Sequence, residues 1–544
     1  MKKSFVFFTL LVFVTLVFSS TLLVKATGER KTEDELSGGT IAIEADTTGH
    51  FIPGFELVRG DLWVTMAVQD PLFRKLSGDR LSPGLVREWI WTEGNRKLRI
   101  TLRDDIRWYD GTPITTRDFE YSVSVWSASK DSLLYDVLKD PATLEFSVID
   151  ERSVIFSFNR PFPEFIDYLS VGLLAKHVYA DRLGLKPEEF SESRYMAYPP
   201  IEATSGPFFL DSNSKKGEIS LKRNPLWHGD KMSPHLPLFF DDWPKKALLD
   251  EIKLIEVNNS EERVAMFKAG SLSLVFGEEE YTAGLLREAE NGSYNYSMYP
   301  DGSYHAIILN HRNETLSNRS VRRALRMAID FDSLLNLLAP NSIKAFLPLD
   351  PRTGLLKDLE SQIADLEYDV DLARDLLQRE GYSQRITLTL KAYLGVPKGF
   401  TDSLARMWKE IGVDLRVERV DWITLLSDIS TANYDMVYLR LDALDYPEIS
   451  PWTVEYDYEL KSGWDTGYVN PQLVRIARRA ASEPEWIGRL PFYLGAYRIW
   501  TQDVPIIVLS YNRRPLFWRS DLSGPATGFG ELYWNLAEWH LQSR

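Results

Sequence analysis

The sequence predicts an α/β protein built from two or more domains. Residues 369 to 440 alternate helix-patterned and strand-patterned segments. Earlier segments repeat a strand followed by a helix. The roughly 500 residues after the apolar N-terminus exceed what one hydrophobic core normally serves. With 44% hydrophobic and 26% charged residues, the composition is that of ordinary globular protein.

Taken in order, Gly38 to Asp46 alternates like a strand and runs into the turn-rich loop Thr47 to Gly54, a good place for ligand contacts, with Phe51 as the candidate. Lys97 to Arg103 reads as a half-buried strand. Asp110-Gly111 marks a tight turn, and Thr115 or Thr116 caps a helix beginning near Arg117. Glu145 to Asp150 and Ser153 to Phe158 read as paired strands, and Leu173 to Ala180 as a short helix. Ser205 to Leu210 and Glu218 to Pro225 are strand-and-turn units. Leu249 to Val257 is a strand feeding a helix over Ser260 to Lys268.

Val321, Ala324, Leu325 and Ala328 form one stripe of a helix over 318 to 330, with the arginines expected outside it on the surface. Asp369 opens a helix that Gly381 stops, and the strand Arg385 to Lys391 follows. A helix over Phe400 to Ile411 leads into the strand Val413 to Val420.

The N-terminus places Lys2 and Lys3 before an apolar run that meets no further charge until Lys25, the pattern of a secretory signal peptide over residues 1 to 26. The run is long enough that an uncleaved anchor is the alternative. The chain contains no cysteine, which excludes disulfides, thiolate metal sites, a Cys nucleophile and a lipid-modified Cys. Export without a lipid attachment point suggests the periplasm. Losing residues 1 to 26 removes three lysines and no acid, taking the formal charge from −15 to −18. A surface that acidic argues against nucleic acid as a partner. Trp (16), Tyr (25) and Phe (27) are plentiful enough both to fill several cores and to line a cleft.

No nucleophile elbow, His-Glu-x-x-His zinc motif, phosphate loop or dinucleotide fingerprint occurs. The seven histidines are scattered. His228 and His235 flank a Gly/Pro-rich loop that reads as solvated rather than metal-binding. The sequence thus offers no catalytic residue, no metal site and no cofactor. A carboxylate pair for glycoside hydrolysis carries no motif, so a secreted hydrolase stands only as the lesser alternative.

The most suggestive region runs from Asn433 to Trp452. Val437, Leu439 and Leu441 share one strand face, expected to be core, while Tyr438, Arg440 and Asp442 share the other, which is free to meet a ligand. Beyond the strand lies Asp445-Tyr446-Pro447, a carboxylate and an aromatic at the C-terminal end of a strand, where α/β folds bind ligands.

Trp108-Tyr-Asp-Gly-Thr-Pro, Ser205-Gly-Pro-Phe-Phe, Arg223-Asn-Pro, Arg319-Ser-Val-Arg-Arg-Ala-Leu-Arg-Met-Ala-Ile-Asp330, Tyr368-Asp-Val-Asp-Leu-Ala-Arg and Val504-Pro-Ile-Ile-Val-Leu fall in one order along nearly the whole chain. In this the sequence resembles the extracellular solute-binding proteins of family 5, which serve oligopeptide and dipeptide ABC importers. The resemblance implies a periplasmic binding protein fold of two hinged lobes with a subdomain inserted in the first, and no enzymatic activity. Lobe one would comprise residues 38–78, 205–303 and 503–544, the insertion 79–204, and lobe two 304–502, with crossings near Leu309 and Pro505. It further implies a monomer that captures a peptide and docks on the transmembrane subunits of an ABC permease. Asp445 matches the carboxylate that pairs with a peptide's α-amino group, Tyr446 its neighbour, and Trp422 an aromatic lining the pocket; Arg440 is the candidate counter-charge to a ligand carboxylate. The segment before Asp445 and the loop around Phe51 depart from the peptide-binding pattern, which leaves an oligosaccharide as the alternative ligand.

Overall fold

The computed structural model describes residues 36–542 apart from 46, 57–58, 77–79, 140–142, 212–217, 230–245, 258, 278, 350, 352–355, 357–358, 383–384, 443–465, 484–485 and 526–534. The proposed signal segment, His235, Asp445 and Tyr446 lie outside the described residues. No helix among the described residues is long and apolar enough to cross a membrane.

One mixed sheet of eleven strands organises the molecule. From one edge its first half runs Val413–Val420, Ile386–Tyr393, Met436–Asp442 and Tyr294–Leu309. The second half runs Leu274–Phe276, Thr40–Glu44, Glu251–Ile255, Glu218–Arg223 and Phe208–Leu210. Ile506–Arg519 lies between the halves, paired antiparallel with Tyr294–Leu309 on one side and with Leu274–Phe276 and the short strand Ile343–Lys344 on the other. Tyr294 to Pro300 pair with Arg519 to Arg513, the register breaks, and Tyr304 to Ile308 pair with Tyr511 to Ile506. The break falls at Pro300–Tyr304, inside the long strands, whereas the expected crossings near Leu309 and Pro505 fall at the far end of the pairing. Gly302 takes φ +75° there, a conformation that side chains with a Cβ adopt at a cost.

Each half has its own cores. Ile41, Ile43, Phe208, Leu221, Ile252, Leu516 and Trp539 pack together in the half that holds both ends of the described chain. The other half is covered on both faces. Ile307, Phe400, Trp408 and Tyr438 belong to one cluster, and Tyr304, Val437, Leu439 and Trp500 to the other. A separate core gathers around the antiparallel sheet Val86–Thr92, Lys97–Leu102, Ser153–Phe158 and Thr143–Val148. That core begins at Ile52, earlier than the expected insertion boundary at Asp79. Trp108, Trp126, Trp408, Trp500 and Trp539 are all fully buried, so much of the tryptophan content fills these cores.

Local signals form as the residue chemistry demands. Thr115 caps the helix Thr116–Ala128 in a capping box: its hydroxyl accepts from Arg117 N at 3.3 Å, and Asp118 accepts from Thr115 N at 2.9 Å. Asn259 and Asp369 cap the helices that follow them. Ser205-Gly-Pro seats the strand leaving the inserted subdomain. Ser205 Oγ donates to Gln69 Oε1 at 2.8 Å, and a Cβ on Gly206 would stand 2.7 Å from the Ala67 carbonyl oxygen.

Three expectations need correction. The helix expected over Leu173–Ala180 starts later, as a wide turn at His177–Arg182. Leu174 N is taken by Ser122 Oγ and Lys176 N by Asp118 Oδ1, so those amides are engaged away from a helix. Arg322 and Arg326, expected on the surface, are only 4% and 3% exposed. Arg322 is satisfied by the carbonyls of Leu316, Ser317, Asp503 and Val504, and burial pulls its guanidinium down to about 10. Arg326 reaches Asp365 at 2.6 Å and lies 3.8 Å over the Phe331 ring. On the Tyr438 face of strand Met436–Asp442 the two described residues part: Tyr438 is core, because helices cover both sides of this part of the sheet, while Arg440 stays exposed.

His228 Nε2 pairs with Asp70 at 2.8 Å. Asp70 also accepts from Trp227 Nε1 at 2.8 Å and from Arg74 at 3.0 Å. Burial pushes the carboxyl up, but the His228, Arg74 and Trp227 donors outweigh it and hold it down at about 2. A folded value below the unfolded one makes this stability present above about pH 4 and lost as pH falls toward 2. Asp70→Ala, which strands those donors, is expected to cost about 3 kcal/mol in a denaturant titration at pH 7, and a loss under about 1 kcal/mol would contradict the assignment.

Candidate functional site

Strand Ile386–Tyr393 runs parallel to Val413–Val420 and to Met436–Asp442, so the C-terminal ends of all three open on one edge of the sheet. That edge adjoins the register break between the halves, because Ser303 pairs with Asp442 and His305 with Arg440. The side chains there form a continuous row. Trp422, first residue of the helix that Asp421 caps, stands 50% exposed and edge-on to Tyr393 at 6.2 Å. Tyr393 stacks on Tyr438 at 6.5 Å, and Tyr438 stacks on His305 at 6.0 Å.

At the far end of the row the groups turn polar. Arg440 donates through Nε to Ser303 Oγ at 2.9 Å and through Nη2 to Asp301 Oδ2 at 3.0 Å. Asp301 also accepts from Asn512 Nδ2 at 2.6 Å and from the Ser303 amide and hydroxyl. Burial would raise the Asp301 carboxyl, yet the Ser303 bonds, the Arg440 charge and Asn512 carry it below its ordinary value. One carboxylate thereby ties together the long strand, the return strand Ile506–Arg519 and the strand that bears Arg440.

His305 is the other unusual group. Its Nδ1 lies 2.6 Å from the Tyr438 hydroxyl, and its Nε2 is buried with no partner among the described residues. Burial, reinforced by the Arg440 charge against a weaker pull from Asp301, lowers the imidazole to about 4, so it is neutral at physiological pH. In the contact between Nδ1 and the Tyr438 hydroxyl either group can donate, according to the ring tautomer. Ser510, directly opposite His305 on the return strand, also buries an unpartnered hydroxyl. The row therefore combines aromatic surface with buried polar atoms that find no partner among the described residues. No cluster of metal-ligating side chains occurs among the described residues.

The structure brings Trp422 and Arg440 onto this one edge and leaves Phe51 out of it. Phe51 is 4% exposed and packs with Ile41, Ile43 and Val64 in the core of the other half, because its loop folds inward on apolar residues. Asp445 and Tyr446 fall outside the described residues. Sequence reasoning missed Asp301, His305, Tyr393 and Ser510. A histidine at the head of the otherwise apolar strand segment Ala306 to Leu309 was the one available signal.

The family model for bacterial extracellular solute-binding proteins, family 5 Middle, matches residues 80–456. The chain is 21% identical to the oligopeptide-binding protein OppA of Bacillus subtilis, with 99% of each chain covered. Among solved structures, a peptide binding protein AppA from Clostridium difficile superposes with a TM-score of 0.73 at 17% identity, over 93% of this chain and all of that one. DppA from Helicobacter pylori, solved in complex with the peptide STSA, superposes at 0.66 with 19% identity, over 94% of this chain and 99% of that one.

A pH titration follows from the site. A neutral buried histidine contributes stability that is present above pH 6.5 and is lost as pH falls toward its folded value of about 4. An NMR titration is expected to show the His305 ring unprotonated at pH 5.5, and a midpoint above 6 would contradict the geometry.

Proposed function

The chain belongs to the bacterial extracellular solute-binding proteins of family 5, and from that premise we propose that it captures an oligopeptide or dipeptide between its two lobes and delivers it to the transmembrane subunits of an ABC importer. The role is binding and not catalysis. The observation that carries the ligand assignment is the row at the strand edge, where Trp422 and Tyr393 offer aromatic surface beside the Arg440 guanidinium and the unpartnered polar atoms of His305 and Ser510. Peptide backbones present carbonyl oxygens at regular spacing, and buried donors discriminate strongly for ligands that satisfy them.

Within this proposal Asp445, three residues beyond Asp442, supplies the carboxylate for the peptide's α-amino group, with Tyr446 beside it. An ammonium taken out of water needs such a partner. Arg440 is held by Asp301, so the pair is close to neutral and suits a peptide carbonyl better than a free carboxylate. Trp422 lies against the ligand's side chains. The protein works as a monomer in the periplasm, reached through the signal segment at residues 1–26. The half-exposed Trp422 face also suits stacking on a sugar ring, which makes an oligosaccharide the second reading.

Asp445→Ala is expected to abolish calorimetric binding of peptides with a free N-terminus while the melting temperature of the unliganded protein stays unchanged. Unaltered peptide affinity in that variant would remove the ammonium-partner role. Trp422→Ala is expected to weaken the same peptides about tenfold, in line with losing one aromatic contact.

A further inference from the structure

Building on two-lobe capture, we propose that the lobes stand closed in this structure and that the inserted subdomain is a latch on the second lobe: Asn95 and Asp167 grip Ser482 and Arg489 and slow opening. The two patches belong to different cores. Asp167 sits in the turn Pro163–Leu169, whose Phe165, Ile166 and Leu169 are buried in the subdomain core. Arg489 sits in the helix Trp486–Asp503, whose Tyr493, Tyr497 and Trp500 are buried in a core of the second lobe. Across this boundary Arg489 Nη1 lies 3.4 Å from Asp167 Oδ2, with the side chains only 11% and 13% exposed. Asn95 Nδ2 donates to the Ser482 carbonyl at 3.1 Å. The partners are 322 and 387 residues apart, so only the approach of the two bodies brings them together.

Each contact is prepared on its own side. Ser482 is the C-cap of the helix Pro471–Ala481, and the last carbonyls of a helix lack internal donors and carry partial negative charge. Asn95 brings an amide donor to that end. It is presented by a left-handed turn, with Glu93 at φ +53°, Gly94 at +65° and Asn95 at +64°, and its own carbonyl is anchored by Phe162 N at 3.0 Å. Arg489 is aimed by a bond from its Nε to the Glu483 carbonyl at 2.6 Å. An ion pair this shielded keeps more of its Coulomb attraction than one on an open surface. None of the four residues belongs to the strand-edge row, so the latch acts on the separation of the lobes and leaves ligand contacts alone. Stabilising only the closed state slows dissociation.

The absence of cysteine makes a clean test possible. Tyr198→Cys in the subdomain and Tyr368→Cys in the second lobe, at positions 69% and 55% exposed, carry a fluorescence energy-transfer pair. In the labelled full chain, Asp167→Ala and Arg489→Ala are each expected to shift the distances toward open forms and to raise the dissociation rate of a fluorescent tetrapeptide pool about fivefold. The double variant should be no worse than either single, and the reversed pair Asp167→Arg with Arg489→Asp should recover the closed population. Asp167→Asn replaces Asp167→Ala if the latter does not fold. Unchanged distance distributions in both single variants, or simple addition of their effects in the double, overturn the latch. If the distances respond to the variants while no peptide alters them, the latch stands and the peptide assignment falls.

Discussion

The antiparallel pairing of Tyr294–Leu309 with Ile506–Arg519 holds the molecule together, because these two strands run through both halves of the main sheet. Nearly 200 residues intervene between them, including all the helices that cover the far half. The pairing is therefore a late, non-local contact that closes a large loop. Once made, it places the ends of three parallel strands beside the register break at Pro300–Tyr304. Asp301 then couples that break to Arg440 and Asn512. The register break thus lies beside the side-chain row that runs from Trp422 to Arg440.

Buried charge does much of the joining elsewhere. Asp70 connects the helix Arg59–Val68 and its following turn to Trp227 and His228; Arg322 gathers four carbonyls; Arg326 pairs with Asp365 and lies over the Phe331 ring. These groups tolerate burial because each finds several partners of matching geometry. The segments that carry the family resemblance are largely of this kind. Ser205-Gly-Pro closes against the end of a helix. Arg223-Asn-Pro spans the carbonyls of Gly206, Leu248 and Leu249, and Arg322 and Arg326 in the segment Arg319 to Asp330 are internal ties. They mark a scaffold and are silent on ligand identity, which explains why the family is plain from the chain and the ligand is not.

Much of the fold was legible in advance, since caps, turns and alternating strands are local signals. Thr115, Asn259 and Asp369 start helices where their side chains dictate, and the alternation over 369 to 440 is one half of the main sheet. What escaped depended on tertiary placement. A stripe of apolar residues says nothing about whether the arginines beside it face water or carbonyls. A two-residue alternation in Met436–Asp442 cannot reveal that helices lie on both faces. Trp422 and Arg440, expected from the sequence because they follow or end strands, stand on this edge, whereas His305, Tyr393 and Ser510 meet only through pairing between distant strands. Phe51 was misjudged because a loop of turn residues looks open in sequence and here folds onto apolar neighbours.

Peptide capture at the strand-edge row, as proposed above, requires the lobes to close. Small-angle scattering of the mature protein, titrated in parallel with a tri- to pentapeptide library and an oligosaccharide library, reads that closure. Peptides alone are expected to produce a saturable decrease in radius of gyration together with a rise in melting temperature, as ligand linkage requires. Contraction with oligosaccharides and none with peptides would overturn the peptide assignment.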